Sequence, residues 1–375
     1  MERPGRKVRS WLMLKLALAT VLLGLGLVAC SDTIKAPSAP AAVATQSVTE
    51  YASGLTGPRG LAFGPDGKLY VALAGTGGSN TTTPAQCEQV PAPVGPYGGG
   101  TTASIVSIDA SGSVTTVADN LPSAVDALPS KDVLGVADVA FIGDTLYALI
   151  QGGGCSHGNP GFPNSVVKVN ADGSTTMIAN LSAFYKAHPV AHPEAEDFEP
   201  DGTPYSMVAV RGALYVVEAN HGEVDRVTPD GAITRVVDVS AFANGHIVPT
   251  SIGYHGNFFV GNLGTFPTAA GSESVFKLTP SGQMMAWING LTTVLGVAFD
   301  HDGRMYVLET TTVDNGPAPA TGDIVRVSRS GAHTVIASGL NFPTAMTFGP
   351  DGALYVSESG FGAAPGTSSI VRIEP

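Results

Sequence analysis

The strongest constraint on this chain is a short unit that recurs six times along it. Each copy has an apolar segment, a turn, most often with Gly or Asp, and a second segment that carries an aromatic residue. The clearest copy reads Gly60-Leu-Ala-Phe-Gly-Pro-Asp-Gly-Lys-Leu-Tyr70-Val. β-forming residues on both sides of a Gly-containing turn are typical of a β-hairpin. The copies lie at residues 60–71, 139–147, 208–215, 252–259, 297–306 and 346–356.

A second hairpin pattern follows each of the first five copies. The first example is Ser104-Ile-Val-Ser-Ile-Asp-Ala-Ser-Gly-Ser-Val-Thr-Thr-Val117. Two hairpins supply four strands, which make one blade of a propeller. The sequence therefore predicts an all-β fold, a six-bladed β-propeller. The other second hairpins lie at residues 165–178, 224–237, 274–288 and 323–336.

The two ends of the chain complement each other. The sixth copy is followed only by Ser369-Ile-Val-Arg-Ile-Glu-Pro375, enough for a third strand. At the other end, Ser47-Val-Thr-Glu-Tyr-Ala-Ser-Gly-Leu55 is similar to the fourth strand of the first blade. We therefore expect the N-terminal strand to complete the last blade and to leave no open edge at the seam. A pair of β-sandwiches or a parallel β-helix would not account for this match.

The first 29 residues are typical of a secretory signal peptide. Residues 3–9 carry four basic side chains, and residues 11–28 are apolar apart from Lys15 and Thr20. The segment ends in Leu27-Val-Ala-Cys30, which resembles the lipobox of bacterial lipoproteins, where the cysteine becomes the lipidated first residue. A spanning anchor and an ordinary cleaved signal are the alternatives. We expect residues 30–46 to be a lipid-anchored tether and residues 47–375 to be the propeller, in the extracytoplasmic cell envelope.

The charge of the mature chain limits its partners. Removal of residues 1–29 leaves 14 basic and 30 acidic residues, a formal charge of −16. Nucleic acid is excluded as a partner because its binding depends on cationic side chains that neutralise phosphates. Electrostatic adhesion to anionic lipid is disfavoured for the same reason, so we expect membrane attachment to depend on the acyl chains of Cys30.

The opening Gly54-Leu-Thr-Gly-Pro-Arg-Gly-Leu-Ala-Phe-Gly-Pro-Asp-Gly67 resembles NHL-type and gluconolactonase-type six-bladed propellers. The chain also resembles the ScyD/ScyE family of exported propellers over roughly residues 47–375. That resemblance implies the fold and an exported protein, but no particular reaction. It is carried by Thr203-Pro-Tyr-Ser206, Pro249-Thr-Ser-Ile252, Phe259-Val-Gly-Asn262, Thr265-Phe-Pro267 and Met305-Tyr-Val-Leu-Glu309.

The long insertions predict which face of the propeller is elaborated. All of them fall between the second and third strands of a blade or between blades, and these connections emerge on one face. Cys87 and Cys155 lie in equivalent loops of blades one and two. In an exported protein we expect them to form one disulfide, with two free thiols as the alternative. Insertions confined to one face favour a binding site there, for a small molecule or a protein partner.

Four polar residues share one position at the end of a second strand. They are Glu218, Asn262, Glu309 and Glu358, and we expect them to converge near the mouth of the channel. Oxygen ligands suit Ca²⁺ or another divalent cation. Gluconolactonase-type propellers hold a catalytic divalent ion in the same general place, so the resemblance implies a similar site. The alternative is a set of hydrated polar residues that line the channel.

The starts of the first strands add three more candidates at the same mouth, namely Arg59, Thr250 and Thr344. Arg59 is suited to holding a substrate carboxylate, or alternatively to neutralising the channel carboxylates. Two functions remain open at this point. The first is a lipid-anchored binding or scaffold module, and the second is a metal-dependent hydrolase of lactonase type with its site at the channel mouth.

Overall fold

The computed structural model describes residues 47–193, 195–328 and 330–375. The predicted signal peptide, Cys30 and the predicted tether therefore lie outside the described residues. The chain forms six antiparallel sheets, and each sheet is one blade. This confirms the six-bladed β-propeller that the repeats predict. No helix in the described part of the chain is long and apolar enough to cross a membrane.

The first described strand, β1 (Val48–Leu55), belongs to the last blade. In the other five blades the strands run from the channel outward in chain order. The first three of these blades comprise β2 (Pro58–Phe63), β3 (Leu69–Leu73), β4 (Gly98–Ile108), β5 (Val114–Val125) and the short β6 (Val133–Leu134); β7 (Val136–Ile142), β8 (Thr145–Ile150), β9 (Ser165–Val169) and β10 (Thr175–Asn180); and β11 (Pro204–Val210), β12 (Ala213–Glu218), β13 (Glu223–Val227) and β14 (Ile233–Asp238).

The remaining blades repeat the same plan. Blade six takes three strands from the C-terminal end of the chain and its fourth from β1. Blades four to six comprise β15 (Pro249–His255), β16 (Asn257–Asn262), β17 (Glu273–Leu278) and β18 (Met284–Leu291); β19 (Val294–Phe299), β20 (Met305–Glu309), β21 (Gly322–Val327) and β22 (His333–Leu340); and β23 (Ala345–Phe348), β24 (Leu354–Glu358) and β25 (Ser368–Ile373) with β1.

Two short helices lie in the connections that leave blades two and three. They are α1 (Leu181–Ala187) and α2 (Val239–Ala243). Each begins at a polar cap, because the side chains of Asn180 and Asp238 accept hydrogen bonds from the backbone N–H groups of the first turn. The repeat pattern does not predict these helices, since they lie between its copies.

The aromatic residues of the repeat join neighbouring blades. The ring of Phe141 on β7 lies 5.0 Å from the ring of Tyr70 on β3, in an edge-to-face arrangement. Phe63 of blade one contacts Tyr355 of blade six in the same way, also at 5.0 Å. Such pairs add to the free energy gained by burying the rings. In these copies the aromatic residue is therefore a contact between blades.

The end-to-end match of the sequence is confirmed. β1 pairs with β25 in an antiparallel ladder that runs from Val48 opposite Ile373 to Leu55 opposite Ser368. We call the side with the turns between first and second strands the turn face, and the opposite side the loop face. Because β25 runs from the loop face to the turn face, the propeller begins and ends at the turn face.

The disulfide between Cys87 and Cys155 is also confirmed, with the two Cα atoms 6.2 Å apart. It joins the loop between β3 and β4 to the loop between β8 and β9. A hydrogen bond from the Thr82 hydroxyl to the carbonyl of Cys155, 2.6 Å long, connects the same two loops. The loop face of blades one and two is thus covalently tied together.

Candidate functional site

The repeated carboxylates at the ends of the second strands are bound to the backbone of their own blades. Each accepts a hydrogen bond from an N–H group in the connection that enters the blade. Glu218 accepts from Thr203 at 2.5 Å, and Glu309 accepts from Thr292 at 2.5 Å. Glu358 accepts from Asn341 at 2.8 Å. The shared position therefore holds each connection against its blade.

Glu218 accepts hydrogen bonds from several backbone N–H groups. It is fully buried, and besides Thr203 it accepts hydrogen bonds from the backbone N–H groups of Asn220, His221 and Gly222. An ionised carboxylate offers about four lone-pair sites, and all of them are occupied here. Its oxygens are thus directed at the backbone of blade three.

Asn262 holds the same position, but it contacts the connection that enters its blade as a hydrogen-bond donor. Its amide nitrogen donates to the carbonyl of Ile247, in the connection that enters blade four, and to the carboxylate of Glu273. Its amide oxygen accepts from the N–H of Ser274 at 2.9 Å. Within the ranges that the structure describes, no three His, Cys, Asp or Glu side chains are grouped as ligands of a metal ion. The four residues do not fit a shared cation.

Arg59, Thr250 and Thr344 also make contacts between parts of the ring. The guanidinium of Arg59 is buried and donates to Asp132, at 2.7 Å, and to the carbonyl of Val133. The Thr250 and Thr344 hydroxyls donate to carbonyls at the start of the following blade, namely those of Val294 at 2.5 Å and Pro58 at 2.7 Å. The two threonines therefore join blades, and Arg59 neutralises Asp132 in a connection.

Reasoning from sequence missed three carboxyls, namely Glu223, Asp225 and Asp323. Glu223 and Asp225 lie on one face of β13 and are fully buried, with Arg235 beside them. Burial and nearby Glu218 raise the pKa of both carboxyls, the charge of Asp225 raises that of Glu223 further, and Arg235 only partly offsets these effects. In blade five, burial and the facing Asp323 raise the pKa of Glu309. Nothing in the strand pattern distinguishes these residues from exposed polar ones.

Loops from different blades share a buried hydrogen-bond network on the loop face. The Tyr97 hydroxyl donates to one oxygen of Glu199 at 2.9 Å, and His157 Nε2 lies 2.9 Å from the other oxygen. His157 Nδ1 contacts the carbonyl of Gly153 at 2.6 Å. Burial lowers the pKa of His157, but the hydrogen bond and charge of Glu199 outweigh it and raise the pKa overall. The loops around blades one to three are thus held in one arrangement.

The central channel is almost closed at its loop-face end. The free space there is about 20 Å³, which is room for about one water molecule. Its lining includes Arg59, Gln151, Tyr205, Leu295 and Thr344. The mouth at which the sequence predicts a binding site is therefore filled by side chains.

A larger cavity occupies the rest of the channel, with a volume of about 450 Å³. Its walls are formed by the first strand of every blade, and many of the lining residues are small, including Gly60, Ala62, Ser251 and Gly296. Along these strands the residues near the loop face are mostly buried, whereas the last ones, near the turn face, are mostly half-buried. The open end of the channel is therefore on the turn face.

Aromatic side chains surround the open end. Strand pairing places one residue of each blade at the same level, next to the turn between the first and second strands. Five of the six are aromatic, and Ala209 of blade three leaves a gap in the ring. In blade order these residues are Phe63, Phe141, Ala209, Tyr254, Phe299 and Phe348. The ring forms an apolar entrance to the cavity.

No family model matches this chain, and no curated protein matches it. Solved structures do. A Thermus thermophilus protein described as a putative oxidoreductase (glucose dehydrogenase) has a TM-score of 0.56 and 17% identity, over 88% of this chain and 99% of that one. A Xanthomonas campestris gluconolactonase has a TM-score of 0.52 and 11% identity, over 87% of this chain and 89% of that one. A Bacteroides thetaiotaomicron protein of unknown function has a TM-score of 0.54 and 13% identity, over 88% of this chain and 76% of that one. At these identities the likeness shows the propeller fold alone.

Proposed function

We propose that this chain is an exported, lipid-anchored β-propeller that binds a small molecule in its central channel. The observation that carries the proposal is the cavity of about 450 Å³ with its aromatic entrance on the turn face. Concave sites of this size are typical of small-molecule binding. The loop-face end is narrow, so the turn face is the entrance for a molecule of this size.

A binding module is favoured over a lactonase-type hydrolase because the candidate metal ligands already form hydrogen bonds within the protein. The hydrolase would need Glu218, Asn262, Glu309 and Glu358 around one cation. Each of these side chains instead forms hydrogen bonds with its own blade. No step of a metal-dependent hydrolysis is therefore assigned to this chain.

Export, anchoring and membership of the ScyD/ScyE family belong to the same proposal. They are supported by the signal peptide pattern that ends in Leu27-Val-Ala-Cys30. The Cys87–Cys155 disulfide agrees with export, because such bonds persist in oxidising compartments outside the cytoplasm. In this proposal the loop face, away from the channel entrance, is available to a protein partner.

Occlusion of the cavity tests the binding site. Ala62 and Ala298 line the cavity, so Ala62→Trp and Ala298→Trp are expected to fill it. We expect the neutral probe 2-naphthylmethanol to bind the wild-type protein, with binding weakened at least tenfold in both variants, as measured by isothermal titration calorimetry. Ala110→Trp, in an exposed turn of blade one, is the matched control and should bind as the wild type does. Equal binding by all four proteins would rule out the channel as the site.

A further inference from the structure

The open cavity contains one charged side chain among its described lining residues. That residue is Asp138 on β7, and no Lys, Arg or His is present in the same lining. Asp138 is 8% exposed, so most of its hydration is lost on folding. A buried carboxylate without a cationic partner is costly. The cavity therefore has one unbalanced acidic group in its wall.

The geometry holds the Asp138 carboxyl in a fixed place. One oxygen accepts a hydrogen bond from the N–H of Val139 at 2.8 Å, and the other accepts from the N–H of Met207 in blade three at 2.7 Å. Gly60 of blade one faces it, and a Cβ atom on Gly60 would lie 1.9 Å from the carboxylate oxygen. Each oxygen keeps a second lone pair that these hydrogen bonds leave unused.

The groups around Asp138 do not neutralise it. Arg59 of blade one lines the narrow end of the channel beside it, but its guanidinium is paired with Asp132. Tyr205 of blade three also lies nearby and is close to Arg59. Burial raises the pKa of Asp138 to about 7, and the two backbone hydrogen bonds only partly offset that effect.

We propose that the cavity selects an apolar cation, a molecule with an apolar body and an ammonium group that donates a hydrogen bond to Asp138. This inference rests on the proposed function and adds the ligand class. The apolar body would occupy the space between the small wall residues and the aromatic ring. The ammonium group would supply the positive charge that the lining lacks, and a charge-assisted hydrogen bond is stronger than a neutral one.

The test compares two probes of nearly the same shape, 2-naphthylmethylammonium and neutral 2-naphthylmethanol. At pH 8 we expect the ammonium to bind the wild-type protein at least tenfold more tightly. Between pH 5.5 and pH 8 its affinity should rise about thirtyfold, because only ionised Asp138 is competent to pair with it. The affinity of the alcohol should not follow this pH dependence.

Asp138→Asn is expected to remove both the preference and the pH dependence. Asp144→Asn, in an exposed turn of the same blade, is the matched control and should keep both. If Asp138→Asn does not fold, the pH series on the wild-type protein decides alone. Equal affinity for both probes, with occlusion still abolishing binding, would overturn the cation inference and leave the channel site standing. Binding of neither probe would overturn the proposed function itself.

Discussion

At the scale of single residues, the carboxylates at the strand ends act as acceptors for the backbone. Glu218 uses all its lone-pair sites on N–H groups, whereas Glu358 is half-buried and accepts one such hydrogen bond. Both occupy the same position of the repeat, so they form a natural pair for comparison. Their different surroundings predict different costs of the same substitution.

We expect Glu218→Gln to lower the free energy of unfolding by about 2–5 kcal/mol, because an NH₂ group would replace an oxygen that accepts two hydrogen bonds and would leave buried donors unpaired. Glu358→Gln keeps an acceptor for its one N–H and should cost less than about 1 kcal/mol. Urea unfolding of the two variants measures the difference.

The same two variants test the calcium site that the sequence suggests. If these carboxylates only accept hydrogen bonds from the backbone and bind no ion, Ca²⁺ and a chelator should give equal melting temperatures for the wild-type protein. A rise in melting temperature with Ca²⁺ that disappears in Glu218→Gln or Glu358→Gln would show instead that the carboxylates bind the ion.

The buried carboxyls of blade three predict how stability depends on pH. The pKa of Glu223 is raised to about 9 and that of Asp225 to about 8, while unfolded carboxyls titrate near pH 4. At pH values between the unfolded and the folded pKa, the two carboxyls keep their protons in the folded chain but have lost them in the unfolded chain. The free energy of unfolding should therefore fall as pH rises from 5 to 8, by up to about 1.4 kcal/mol per pH unit for each retained proton.

The double variant Glu223→Gln/Asp225→Asn should flatten this slope, as measured by urea unfolding at a series of pH values. Asp172→Asn is the control, because Asp172 is exposed in a turn and hydrogen bonds from Ser174 lower its pKa. Its slope between pH 5 and 8 should match that of the wild type. An unchanged slope in the double variant would mean that the two carboxyls are ionised in the folded protein.

At the scale of strands, the repeat is informative because each copy carries its own hairpin turns and its own contact with the next blade. Phe141 and Tyr70 come from separate copies, yet their contact follows from the position they hold in the unit. The closing strand could be predicted for the same reason, since a missing fourth strand is recognisable by comparison with complete copies. The helices α1 and α2 could not, because they have no counterpart in the repeat.

Loss of the closing strand should weaken the whole ring. Deletion of residues 47–55 removes the partner of β25 together with the buried side chains of Ala52 and Leu55. We expect a loss of roughly 5 kcal/mol, from the apolar surface no longer buried. Thermal unfolding should show a lower midpoint, whereas deletion of residues 32–42 in the proposed tether should leave the midpoint unchanged.

Point variants keep this prediction testable if the deletion does not fold. Leu55→Ala removes a side chain that is 2% exposed and should cost about 2–5 kcal/mol. Val48→Ala, at the other end of β1 and 41% exposed, should cost less than about 0.5 kcal/mol. Similar effects of the two substitutions would argue against a closing role for β1.

At the scale of the whole molecule, the open end of the channel could not be predicted from the sequence. It depends on how six first strands converge and on side chains such as Arg59 and Tyr205, which come from different blades and fill the opposite, narrow end. The role of Asp138 has the same origin, since one of its hydrogen bonds comes from Met207 in the next blade. The pattern within one repeat does not show which side chains of different blades come into contact.

The proposed anchor predicts where the mature protein is found. Lipidated at Cys30, it should sediment with membranes, and Cys30→Ser should move it to the soluble fraction, because a chain of this charge has little attraction to anionic lipid. Fractionation of cell envelopes measures the distribution. If the Cys30→Ser protein remained with membranes to the same extent, an uncleaved spanning segment would replace lipidation as the explanation.

The position of β1 also has a mechanical consequence. The chain enters the propeller at Ser47, and β1 is bonded along its length to β25. Hydrogen bonds of an antiparallel pair lie perpendicular to the strands. Tension applied at Ser47 along the strand direction would load these bonds together in shear, rather than opening them one after another. The strand that closes the ring is therefore also the one that would transmit force between the proposed tether and the propeller.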